Sequence, residues 1–134
     1  MFFFGKTKPD PSQPHSDWPW RLELSGYPSS QLSWEIIVSE LRKLNLEDVD
    51  SFLILEQRDP KNPKEYWYIQ SALAKAGPFQ GQYIVGVGWS APEHNQMWEL
   101  CVSQVEQVIG YFEDAYKKKH VDLTGFEDQS DMLP

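Results

Sequence analysis

The stretch Tyr83-Ile84-Val85-Gly86-Val87-Gly88-Trp89, then Ala91-Pro92, then Gln96-Met97-Trp98-Glu99-Leu100-Cys101-Val102 decides the fold of this chain. Apolar side chains recur at every second position, as Tyr83, Val85, Val87 and Trp89 before the turn and as Trp98, Leu100 and Val102 after it. A period of two sends alternate side chains to opposite faces, so each half reads as a strand, and the proline-marked link is short enough for a hairpin. On the other face of the first half Gly86 and Gly88 follow Ile84, which leaves room for an element packed closely above.

The pattern extends upstream. Phe52-Leu53-Ile54-Leu55-Glu56 is a short continuous apolar run, as expected of a strand covered on both faces. Asp59-Pro60-Lys61-Asn62-Pro63 is turn chemistry, and a strand restarts over Glu65–Ala72 through Tyr66, Trp67, Tyr68 and Ile69. Gly77-Pro78 and Gly81 mark the following turn. Earlier, Trp20-Arg21-Leu22-Glu23-Leu24 alternates apolar and polar until Gly26, Pro28, Ser29 and Ser30 break it. Hairpin-length links between strands give a mostly antiparallel sheet.

Two segments change period. Ser33 caps a helix whose apolar positions Trp34, Ile37, Val38, Leu41 and Leu44 form one face, with Asn45 placed for a left-handed end. Ser103-Gln104-Val105-Glu106 is a capping box, and Val105, Val108, Ile109, Phe112 and Tyr116 follow at helical spacing. Lys117, Lys118 and Lys119 close that helix at the negative end of its dipole. Val121-Asp122-Leu123 reads as an added edge strand. The expected fold is α+β: a mostly antiparallel sheet of about five strands covered by two amphipathic helices. Residues 1–19 form a proline-rich leader, with Pro9, Pro11, Pro14 and Pro19, that has no core of its own. Residues 20–134 form a single domain with an acidic C-terminal tail.

Composition narrows the function. At 134 residues with a 14% aromatic fraction, the chain is sized for one packed domain and is too aromatic for a disordered tail. The lone Cys101 forms no internal bridge and points to a reducing compartment. Met1-Phe2-Phe3-Phe4 is too short for a signal peptide and lacks a basic lead, and no segment is long enough to span a membrane, so the cytoplasm is expected. A net charge of −8 opposes binding to nucleic acid and to anionic membrane, and it attracts a basic protein.

Catalytic chemistry is thinly represented. His15, His94 and His120 fall at no metal-site spacing with Cys101 or a carboxylate, and the sequence carries no GxxxxGK[ST], GxSxG or HExxH. Gly86-Val87-Gly88 lacks the third glycine and the following helix of a phosphate loop. Cys101 reads as a small buried hydrophobe, and Glu56, Glu65 and Glu99 as solvated strand residues. Neither an enzyme nor a cofactor or metal site is expected. Trp67, Trp89 and Trp98 lie on three consecutive strands, either as core or as a partly exposed hot spot rimmed by Glu93 and Glu99. Aromatic stacking of single-stranded nucleic acid needs a positive groove, and residues 93–116 hold five acids and no Lys or Arg.

Several stretches carry a likeness to known proteins. They are Ser33-Trp34-Glu35, Ser51-Phe52-Leu53-Ile54-Leu55-Glu56, Tyr68-Ile69-Gln70, Gly81-Gln82-Tyr83-Ile84-Val85, Trp98-Glu99-Leu100, the Ser-capped second helix, and Gly125-Phe126-Glu127-Asp128. Together, over residues 33–128, they resemble the small immunity proteins of bacterial polymorphic-toxin and contact-dependent inhibition systems, in the branch with a Whirly-like α+β fold. Gly86 stands where that pattern carries an acid. The resemblance implies an inhibitor that binds a cognate toxin domain and blocks its active site or the approach of its substrate. Many such toxins are basic nucleases, and an acidic inhibitor can occupy their cleft as a phosphate mimic. The residues expected to meet the partner are Glu47, Asp48 and Asp50 in the acidic link, with Glu93 near Trp89 and Trp98. A non-inhibitory adaptor or effector chaperone is the alternative, and a small-ligand binder or enzyme ranks behind it. The oligomeric state is not legible in the sequence.

Overall fold

The computed structural model describes residues 10–15, 17–44 and 51–130, apart from the side chain of His94. Along the chain run β1 (Trp20–Leu24), β2 (Tyr27–Pro28), α1 (Trp34–Arg42), β3 (Phe52–Asp59), β4 (Asn62–Leu73), β5 (Tyr83–Ala91), β6 (His94–Val102), α2 (Val105–Glu113) and β7 (Glu127–Asp128). The strands form one sheet in the order β2-β1-β3-β4-β5-β6-β7, and every pairing is antiparallel. The fold is therefore α+β, as expected. The sheet has seven strands among the described residues rather than about five, because a two-residue strand is added at each edge.

Register sorts the side chains into two faces. Leu22 opposes Leu55, Leu55 opposes Ile69, Ile69 opposes Val87, and Val87 opposes Trp98. This row and its neighbours face the helices, where Ile37 and Leu41 of α1 and Val108 and Phe112 of α2 join the same buried cluster. Fully burying side chains of this size contributes about 1.5–3 kcal/mol each, so this face dominates the stability of the domain. Trp67 sits opposite Trp89, and Trp98 lies diagonal to Trp89 on the same face.

β3 differs from its reading as a strand covered on both faces. Leu53 and Leu55 are buried, while Phe52 and Ile54 are half-exposed on the far face. Both helices bury their apolar stripes on one side, so a continuous apolar run here meets packing on one side only.

Ser33 caps α1 by accepting from the Ile36 N–H at 3.2 Å, and the helix ends on Lys43. The expected left-handed end at Asn45 lies outside the described residues. α2 starts one residue later than the capping box predicts. Its cap is Gln104, whose N–H donates to Gln107 Oε1 at 3.1 Å. The helical segment ends at the lysines as expected, but through a π turn over Asp114–Lys118 that closes on Lys119 at φ 57°. That turn sets Tyr116 between Trp20 and Trp34, 5.4 and 6.2 Å from their rings.

The edge strand expected at Val121-Asp122-Leu123 forms instead at Glu127–Asp128. Val121 is buried, and its N–H donates to the Ser12 carbonyl at 2.7 Å rather than to a neighbouring strand. The described part of the leader has no core of its own and lies on that of the domain. Pro11 and Pro14 are buried, Trp67 Nε1 donates to the Pro11 carbonyl at 2.7 Å, and Gln57 Nε2 donates to the carbonyls of His15 and Trp18.

Candidate functional site

With both helices on one side, the opposite face of the sheet has no helix over it among the described residues. Its side chains form cross-strand rows. Arg58, Tyr66, Ser90 and Asn95 make the first; Arg21, Glu56, Tyr68, Gly88 and Met97 the second. Glu23, Ile54, Gln70, Gly86, Glu99 and Glu127 make the third; Phe52, Ala72, Ile84 and Cys101 the fourth. Alternation sets this face, since most of these residues lie one position from a core residue on their strand.

The first two rows border a hollow of about 450 Å³. Glu56, only 5% exposed, accepts from Arg58 Nε at 2.9 Å. The Arg58 guanidinium also donates to the Pro63 carbonyl at 2.7 Å and lies over the Tyr66 ring, 4.4 Å from its centre. A buried carboxylate is tolerable when a hydrogen-bonded cation faces it, and this pair meets that condition.

The space over the glycines is filled by side chains of β4 rather than by another element. A Cβ on Gly88 would fall onto the Tyr68 phenol and 2.6 Å from the Gln96 carbonyl oxygen, and one on Gly86 would meet Gln70 Cγ at 3.1 Å. Tyr68 thus lies flat across β5. Burial, then Tyr66, then Glu99, push its phenol up to about 12.

Further along, burial holds the Glu99 carboxyl above the ordinary range. Burial also raises the Cys101 thiol, with Glu99 and Glu127 adding to the effect. Cys101 is half-exposed on the open face, so it is not the buried hydrophobe the sequence suggests. A thiol pushed up by burial and by neighbouring carboxylates is a poor nucleophile.

The three carboxylates singled out in the sequence do different work. Glu56 holds Arg58, Glu65 accepts from Trp89 Nε1 at 2.9 Å, and Glu99 stands on the open face. Among the described residues no group of His, Cys, Asp and Glu is arranged to hold a metal ion.

Of the expected partner-contacting residues, the three that are described do not share one exposed surface. Glu47, Asp48 and Asp50 lie outside the described residues. Glu93 is exposed at the tip of the β5–β6 turn. Trp89 is buried and Trp98 is packed against the core, both facing the helices. The tryptophans therefore act as packing residues here. Tyr66, Tyr68 and Glu99 occupy the open face instead. Their alternation with Trp67 and Trp98 is visible in the sequence, but which of the two faces the helices leave free is not.

Comparison with protein-family models, with curated proteins and with solved structures finds no match for this chain.

Proposed function

We propose that this protein is an immunity protein, which binds a cognate toxin domain, a basic one, and neutralises it by stoichiometric association. The observation that carries the reading is the open face of the sheet. It is broad and half-exposed, tyrosines and aliphatic side chains lie among its carboxylates, and no helix covers it among the described residues. Tyrosine is enriched where proteins bind proteins, because its ring contributes contact area at low entropic cost and its hydroxyl finds a partner. The net charge of −8 supports a basic partner, since it steers such a protein toward encounter. Glu47, Asp48, Asp50 and Glu93 contribute to that steering field. The antiparallel α+β build is in keeping with the resemblance noted in the sequence.

A growth assay tests the proposal. The C-terminal domain encoded by the neighbouring large gene is induced with and without this protein. Growth is expected to recover in proportion to the amount of protein, and the purified pair should form a complex that lacks toxin activity. A toxic domain that still kills cells containing abundant folded protein would overturn the proposal. A complex whose toxin stays active would replace inhibition with a carrier role.

A further inference from the structure

We infer that the open face of the sheet is where the partner docks, and that a lysine or arginine side chain of that partner lies between Glu99 and Glu127. The inference rests on the toxin-binding reading only for the partner's identity.

Glu99 of β6 and Glu127 of β7 are direct cross-strand neighbours. Like charges placed opposite one another destabilise a sheet. Glu127 makes one long hydrogen bond, from Gln129 Nε2 at 3.3 Å. No ion pair joins Glu99 to a cation among the described residues. The fold thus leaves two carboxylates side by side with no cation between them among the described residues, a place that an incoming cation would fill.

Hollows flank Glu99 on both sides. One of about 220 Å³ is walled by Phe52, Ile54 and Ile84; the other, about 310 Å³, holds Phe79, Cys101 and Gly125. An apolar trough leading to a carboxylate suits a long aliphatic stem with a charged head. Phe79, 52% exposed, is one of the two large hydrophobic residues left exposed among the described residues. The face also carries an internal precedent, because the Arg58 guanidinium is already seated between the Tyr66 ring and the Glu56 carboxylate. Burial raises the Glu99 carboxyl, and a bound cation would bring it back down.

The test uses the full chain, ¹⁵N-labelled, and a blocked arginine pentapeptide, with the citrulline peptide as control. Saturable amide shifts are expected at Gly86, Glu99, Cys101 and Glu127 with arginine and not with citrulline. The Glu99→Gln/Glu127→Gln variant keeps side-chain shape and should weaken binding about tenfold, as for loss of a charge-assisted contact. Removing the like-charge pair should also leave its melting temperature unchanged or higher, which excludes misfolding as the cause. Shifts that spread equally to Glu93 and Glu113, that persist in the double variant, or that fail to appear at peptide concentrations of order 10 mM would overturn the inference. A concentration-dependent dimer abolished by the same substitutions would assign the face to a second copy and overturn it too.

Growth protection separates this inference from the proposed function. Protection that survives Glu99→Lys/Glu127→Lys removes the docking face and leaves the immunity reading intact. Mapped, saturable peptide binding by a protein that gives no protection keeps the face and removes the immunity reading.

Discussion

Gly88→Ala should be far more damaging than Gly86→Ala, although the two glycines are two positions apart on one strand face. At Gly88 the new methyl would fall onto the Tyr68 phenol and stand 2.6 Å from the Gln96 carbonyl oxygen. The ring can swing away from its half-exposed site, but the carbonyl belongs to the β5–β6 ladder and moves only with the backbone. Overpacking of this kind costs about 1–3 kcal/mol, and a backbone contact belongs at the upper end. Reduced freedom of the unfolded chain returns about 0.4–1 kcal/mol, leaving a net loss of about 2 kcal/mol. At Gly86 the nearest atoms are Gln70 Cγ at 3.1 Å and Nε2 at 3.2 Å, part of a flexible side chain, so the two contributions roughly cancel. Unfolding 134 residues carries an entropy of roughly 0.28 kcal/mol/K, so 1 kcal/mol moves Tm by about 3.5 °C. Thermal unfolding followed by circular dichroism should show Gly88→Ala about 7 °C below wild type and Gly86→Ala within about 3 °C of it. Adding Tyr68→Ala to Gly88→Ala should relieve only the ring contact. Equal Tm values for the two glycine variants, or a complete rescue by Tyr68→Ala, would refute the reasoning.

Other outcomes follow from the same geometry. Tyr68 should ionise near pH 12 in an absorbance titration at 295 nm, and that step should be missing from Tyr68→Phe. Its folded pKa lies above its unfolded value of about 10, so its contribution to stability is complete below pH 10 and is lost as the pH rises toward 12, a loss that Tyr68→Phe should abolish. Trp67→Phe removes the donor to the buried Pro11 carbonyl and should cost about 2–3 kcal/mol. Hydrogen exchange should then quicken at the Val121 amide, which is held by the same segment through Ser12. Ser33→Ala removes the cap on the Ile36 N–H and should lower stability by about 1 kcal/mol, measurable by urea unfolding with an unchanged m value.

The parts of the fold legible in the sequence are those where one local rule acts alone. Trp20–Leu24 alternates cleanly and is observed with those bounds, and Ser33 caps where its spacing to the apolar stripe requires. β4 begins at Asn62 rather than Glu65 because a tight turn pairs Asp59 directly with Asn62. Val121 and Leu123 alternate like an edge strand, yet their apolar side chains go to the core. The candidate site was half legible. Tyr66, Tyr68 and Glu99 sit one position out of phase with the core residues, and a period of two shows that. Which face stays uncovered depends on where two helices distant in sequence come to rest, and that is a tertiary property. Trp89 and Trp98 fit either face by composition; Trp89 is settled by Trp18 of the N-terminal segment and by Glu65, and Trp98 by packing against the core.

The bond from Val121 to the Ser12 carbonyl also orders events during synthesis. The two residues are 121 − 12 = 109 positions apart, and at ~5–20 residues per second the ribosome needs roughly 5–20 s to cover that distance. Trp67 is made in the interval, so for part of it the segment around Pro11 can engage the nascent indole while its second attachment does not yet exist. A chain halted before residue 121 would hold that segment through Trp67, Gln57 and the Trp18–Trp89 ring contact, without the Val121 bond.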